Sequence, residues 1–265
     1  MKRYTLVFFL IVATIKLYGQ DNESSKGMCN TLNIITQSIA NGDVKTLASY
    51  CTYPIYRQYP LRSIENKQQM MDNFNIIFDD SIRHVLKTTK CDDWNNWGWR
   101  GYYCPNYIIW CNDGGLYKID YMSSKESKLL FELVKKEINS LHPTLQGEEW
   151  TPYACFRDKT TGDIMRVDVM FESNPYTFRL SIYNKDQHPS DYPSCCMIGN
   201  REIQGSGLYE YFTFSALSIT YSFIYNDSWG IEVGSLDVIE GEGDNAKIIE
   251  EHKMELFYWS DFKKF

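Results

Sequence analysis

The side chains that could do chemistry in this chain are few and scattered. Eight cysteines (Cys29, Cys51, Cys91, Cys104, Cys111, Cys155, Cys195 and Cys196) are its soft nucleophiles, and His84, His142, His188 and His252 its near-neutral bases. Zinc needs closely paired ligands, and with no C-x-x-C and no clustered histidine a metal site is not expected. The strained serine turn G-x-S-x-G, the H-E-x-x-H helix and the phosphate-cradling P-loop pattern do not occur. Gly205-Ser206-Gly207 and Gly241-Glu242-Gly243 lack the third glycine of a dinucleotide fingerprint and read as turns. Glu148-Glu149 and Glu250-Glu251 are adjacent, whereas an acid/base carboxylate pair must be set apart to face a substrate. No catalytic residue and no cofactor are therefore assigned.

Recognition is better served. Trp94, Trp97, Trp99 and Arg100 fall within seven residues, on or just before a strand. Strand alternation would send Trp97 and Trp99 to one face and Arg100 to the other. Such a face can pack a sheet on its helices, or it can offer aromatic rings to a ligand and a guanidinium to an anion. Trp97, Trp99 and Arg100, together with Tyr59, are the candidate ligand-binding residues.

The elements that must position them follow from composition and period. The 265 residues carry 27 basic and 34 acidic side chains, a net charge of −7, and a mean hydropathy of −0.41. The hydropathy excludes a multi-span membrane protein, and the acidic balance without a basic block argues against nucleic-acid binding. Aromatic residues make up 15% of the chain, a composition suited to strands and pocket walls. Residues 1–20 read as a signal peptide: Met1-Lys2-Arg3 precedes the apolar run Thr5 to Ile15, which Lys16 stops well short of the ~20 residues that span a bilayer. The mature chain is then secreted or periplasmic without stable membrane insertion, an uncleaved anchor being the alternative. Export permits disulfides, although spacing alone leaves their pairing open. The neighbours Cys195 and Cys196 are expected to reach different partners.

Apolar residues Leu32, Ile35 and Ile39 recur at helical spacing up to Asn41-Gly42, and Asp43, Asn66 and Asp79 or Asp80 can cap the helices that follow. From Trp97 the period shortens to three runs, through Tyr107–Trp110 and Leu116–Asp120, separated by Pro105-Asn106 and Asn112–Gly115, as in a meander. A long helix begins at Ser123 or Ser124, buries a stripe of Leu130, Leu133, Val134, Ile138 and Leu141, and ends at His142-Pro143. Beyond it the pattern is strand: Ile164–Val169 and Tyr176–Tyr183 around Asn174-Pro175, then Tyr209–Phe214, Ile219–Tyr225, Trp229–Val233 and Lys253–Trp259. The expected fold class is α+β, with helices packed on a curved antiparallel sheet over 21–123, a linker helix over 124–143, and a mostly antiparallel β domain, sandwich or barrel, over 144–265.

Residues 30–122 resemble the NTF2-like, cystatin-like cone superfamily, in a secreted bacterial variant with a β-rich domain appended. The resemblance rests on Asn41-Gly42-Asp43 between two short helices and on the Tyr-Pro pairs at Tyr53 and Tyr59. Phe74 with Ile77-Phe78-Asp79, the Trp97–Gly101 strand, and the hairpin from Ile109-Trp110 to Tyr117-Lys118-Ile119 complete it. It implies a cone around an apolar pocket. Its catalytic members use an Asp–His or Asp–Tyr constellation, for which this chain offers only Asp79, Asp80, His84 and Tyr59. The aspartates read as caps and His84 sits beside a core stripe. The reading is a non-catalytic binding protein for a small apolar ligand or a protein partner. An inhibitor or immunity-type protein that blocks another secreted protein is the second reading, and an isomerase or dehydratase the third.

Overall fold

Helices form in the amino-terminal half where apolar residues recur every three to four positions and a polar side chain closes the first turn. In the computed structural model, which describes residues 27–104, 108–172, 176–204, 209–225, 235–241 and 245–262, helix α1 covers 27–41 and buries Leu32, Ile35 and Ile39. Asp43 caps α2 (Val44–Ser49) by accepting from the Thr46 amide, and Asn66 caps α3 (Lys67–Ile77) through Gln69. Asp79 caps α4 (Asp80–Thr88) through Ser81 and Ile82. An antiparallel sheet follows, of β1 (Asn95–Asn96), β2 (Tyr102–Tyr103), β3 (Ile109–Asn112) and β4 (Gly115–Ile119). Met70, Phe74, Ile77, Ile82 and Leu86 of the helices join Ile109, Cys111, Leu116 and Ile119 of the sheet in one apolar cluster. A Cys29–Cys91 disulfide ties α1 to the turn after α4.

The chain divides into two units: Met1–Ile55 with Ile64–Lys125, and Tyr56–Ser63 with Glu126–Phe265. The second is built on eight antiparallel strands, β5 (Thr151–Asp158), β6 (Ile164–Met170), β7 (Thr177–Tyr183), β8 (Cys195–Gln204), β9 (Tyr209–Ala216), β10 (Ile219–Tyr225), β11 (Ser235–Glu240) and β12 (Lys247–Leu256). Each pairs with the next, and β12 returns to β5 through Met254 opposite Asp158 and Leu256 opposite Phe156, so the sheet closes as a barrel. An eight-stranded barrel is just wide enough for side chains to fill it. Here Phe156, Phe178, Leu180, Phe212, Phe214 and Phe223 occupy the interior, with Phe212 stacked on Phe223 at 4.9 Å. Outward positions on the later strands, such as Asn200, Glu202, Thr213, Ser215 and Glu251, are polar and exposed.

Helix α5 (Ser124–Ser140) buries only the end of the expected stripe, Ile138 together with Leu141 just beyond the helix. Leu130, Leu133 and Val134 are only half-buried, and the buried positions are Glu126, Glu137 and Ile138. The two glutamates are buried because each meets an arginine. Glu126 takes both ends of the Arg57 guanidinium at 2.7 Å, and Glu137 takes Nη1 of Arg166 at 2.8 Å.

The α+β arrangement expected from the resemblance is thereby corrected. Strands of two, two, four and five residues make a sheet too short to curl into an NTF2-like cone. From Glu126 onward α5 packs as part of the barrel unit instead of linking two domains, and residues 56–63 join that unit as well. The structure is a small helix-and-sheet unit and a barrel that recruits earlier chain, in place of a cone followed by a separate β domain. The signal peptide over 1–20, the Pro105-Asn106 and Asn174-Pro175 turns and the Trp229–Val233 strand lie outside the described residues.

Arg166 is fully buried between Asp168 and Glu137. Truncating one partner of a buried ion pair leaves its charges uncompensated and typically costs about 3–5 kcal/mol. Arg166→Ala should therefore lower unfolding stability by an amount in that range, measured by urea denaturation with circular dichroism. A loss smaller than that of an ordinary surface substitution would refute the role given to this side chain.

Candidate functional site

The segment expected as a strand from Trp97 is a braced turn. Gly98 to Arg100 form one 3-10 turn between β1 and β2, and Gly98 and Gly101 have φ of +61° and +86°. These left-handed conformations break the alternation that would have put Trp97 and Trp99 on one face. Gly101 has a second reason to be glycine, since a Cβ there would stand 2.2 Å from the Cys111 carbonyl oxygen. Hydrogen bonds fix the turn: Trp97 N–H donates to Gly101 O at 2.8 Å, Gly98 N–H to the Asn96 side chain at 2.8 Å, and Tyr117 O–H to Arg100 O at 2.8 Å.

On this frame Trp97 stacks against Trp110 at 5.4 Å and meets the edge of Tyr103 at 5.7 Å, while Tyr103 lies 5.0 Å from Trp110. The Arg100 guanidinium lies 4.9 Å from the Trp97 ring and 5.2 Å from Trp99. Trp110 is buried and its indole N–H donates to Asp120 at 2.7 Å, with Lys118 paired to the same carboxylate. Exposure then rises outward, to 46% for Trp97 and 72% for Trp99. The arrangement presents two aromatic faces with a cation held between them, able to stack a flat group and to bind an anion.

Three of the four ligand-binding candidates thus meet: Trp97, Trp99 and Arg100. Tyr59 belongs to the other unit and is buried, its hydroxyl 3.3 Å from both Glu137 oxygens and accepting from the Trp259 amide. Tyr103 and Trp110 were missed by the sequence reading. The antiparallel pairing that sets Tyr103 opposite Trp110 was the available signal.

A second polar cluster was also missed. Asp168 receives Nε of Arg166 at 2.8 Å and Nη2 of Arg179 at 2.8 Å, while Arg179 also donates to the Leu145 carbonyl and lies over Trp150. Burial alone would lower the Arg166 pKa, but Asp168 and Glu137 outweigh it and raise it. Burial raises that of Glu137 despite Arg166 beside it. Each charge here is paired with an opposite one, while Nη2 of Arg166 has no hydrogen-bond partner among the described residues.

The remaining candidates are engaged or scattered. Asp79 caps α4 and also accepts from Tyr121 O–H at 2.5 Å, and His84 is exposed on α4. Cys195 packs toward the barrel interior and Cys196 toward the outer cluster, because neighbours in a strand face opposite ways. Cys51, Cys104, Cys111, Cys155, Cys195 and Cys196 are thiols. Among the described residues no group of His, Cys, Asp and Glu is arranged to hold a metal ion, and no helix is long and apolar enough to cross a membrane.

Fold and site together define a two-unit chain, a helix-and-sheet unit carrying an exposed tryptophan–arginine turn and an eight-stranded antiparallel barrel. Compared with known proteins, the chain matches no family model, no curated protein and no solved structure.

The Tyr121 hydroxyl, then the Ile82 amide, hold the Asp79 carboxyl below its ordinary value of 3.8. A depressed folded pKa means this stabilisation is complete above the ordinary value and is lost as pH falls through the folded one. Asp79→Asn should flatten that part of the acid denaturation curve, and an unchanged curve would contradict the assignment. Alkylation of the native chain checks the thiols. Burial pushes Cys104 up to about 11 and raises Cys111 and Cys155 as well. Thiolate, the reactive form, is then scarce near neutrality. Iodoacetamide should spare these three until the chain unfolds, and peptide mapping without reduction should return the Cys29–Cys91 link.

Proposed function

We propose that this chain is an exported, non-catalytic binding protein that docks onto another protein through the Trp97–Arg100 turn. The observation that carries the reading is Trp99, 72% exposed on a turn held by hydrogen bonds on both sides. Leaving an indole in water forgoes burial worth roughly 2–3 kcal/mol. Bracing the turn removes much of the conformational entropy that docking would otherwise cost. Tryptophan, tyrosine and arginine are the residue types that dominate binding energy at protein interfaces.

A small apolar ligand would instead call for a concave pocket. The barrel interior is packed with phenylalanine and supplies none. A projecting turn fits a partner with a groove of its own, lined to take an indole and carrying a carboxylate for Arg100. That shape also favours the inhibitor-type reading, in which the turn enters another secreted protein's cleft. The apolar leader and the Cys29–Cys91 disulfide support export.

The test is recovery of the complex from the native host's medium or envelope with wild type and with the Trp99→Ala, Arg100→Ala double variant. Hot-spot truncation typically removes about 2 kcal/mol or more, so affinity should fall by roughly thirtyfold or more and the partner should be lost. Trp99→Ala alone should change folding stability by no more than about 0.5 kcal/mol, as for other exposed positions. A partner that stays with the double variant at equal stoichiometry would refute the proposal.

A further inference from the structure

A separate feature lies wholly within the barrel unit. Where the β5–β6 turn meets the end of β12 and the segment after it, a cleft of about 740 Å³ opens, within the roughly 300–1,000 Å³ range of small-molecule sites. Ile164, Leu256, Phe257 and Phe262 supply its apolar surface. Its charged lining is unequally committed. Glu255 is taken by Arg157, which also lies over the Phe257 ring, and Asp261 is taken by Arg62. Lys185 is the remaining cation of the lining, and its ammonium makes no ion pair among the described residues.

Lys185 is placed by the turn it faces. Its backbone N–H donates to the Asp163 carboxylate at 3.1 Å. Gly162, at φ +82°, brings that turn close enough that a Cβ there would touch the lysine stem at 3.4 Å. The lysine shares the cleft lining with this apolar surface, where Glu255 and Asp261 are held by arginines and Asp163 accepts from the lysine's own backbone amide. An ammonium without an ion pair, in one cleft with aromatic side chains, suits a ligand with an apolar body and a single negative group.

We propose that this cleft binds a small amphipathic acid, its ring or branched chain against Phe257, Phe262 and Ile164 and its carboxylate on Lys185. The site is independent of the Trp97–Arg100 turn, and one can fail without the other.

The test is calorimetric titration of the full chain with 4-phenylbutanoate and with the neutral 4-phenylbutan-1-ol. The wild type should bind both, the acid more tightly. Lys185→Met should weaken the acid by about fivefold, the scale of a partly exposed ion pair, and leave the alcohol unchanged. Phe262→Ala should weaken both. Lys185 is exposed, so its variant keeps the fold. Equal affinity of wild type and Lys185→Met for the acid, or no heat with either ligand at millimolar concentration, would overturn the proposal.

Discussion

The barrel unit is organised around a single fully buried guanidinium. Arg166 stands on the outward face of β6, where a strand in water would present a solvated side chain, yet it is completely covered. A charge in that position must be neutralised and hydrogen-bonded or the fold loses several kcal/mol. Asp168 supplies one partner from the same strand, and Glu137 supplies the other from α5. The helix is thereby fixed to the barrel wall. Other covering segments join through the same groups: Tyr59 on Glu137, Trp259 over Arg166 at 4.8 Å, and Leu145 and Trp150 on Arg179. Elements distant in sequence thus converge because one cation and its carboxylates leave them few other places to go.

The barrel interior has the opposite character, and this bears on function. Stacked and edge-on phenylalanines fill it, and polar groups sit along its inward rows. Arg201, Glu210 and Tyr153 are bonded together, and Asp158 binds the His252 ring. The two proposed recognition sites, the braced Trp97–Arg100 turn and the Lys185 cleft, lie outside that interior and each combine aromatic side chains with a cation.

What was legible in the sequence was local. Asp43, Asn66 and Asp79 were readable as caps because a cap needs only its own first turn. Ile164–Val169 and Ile219–Tyr225 were readable as strands because the period is two. Cys195 and Cys196, expected to reach different partners, are both thiols. The failures are non-local. Ile164–Val169 was read as an alternating strand, but nothing in the pattern says that a helix will cover the face carrying Arg166 and Asp168. Tyr59 meets its partner Glu137 across 78 residues, a contact that no spacing rule reports. The turn at Trp97 was misread because two glycines in left-handed conformations interrupt a run that otherwise scans as strand. The cone failed for a related reason, since helix caps and hairpins are shared by many folds and do not fix how far a sheet curls.

The central claim is that position 99 is where another protein docks. Replacing Trp99 with the photo-cross-linking residue p-benzoylphenylalanine, and irradiating in the native host, tests this most directly. The same replacement at Phe131, itself 68% exposed, serves as the control. The account predicts one discrete adduct from position 99 and none of that mass from position 131. No adduct at 99, or the same adduct from both positions, would contradict it.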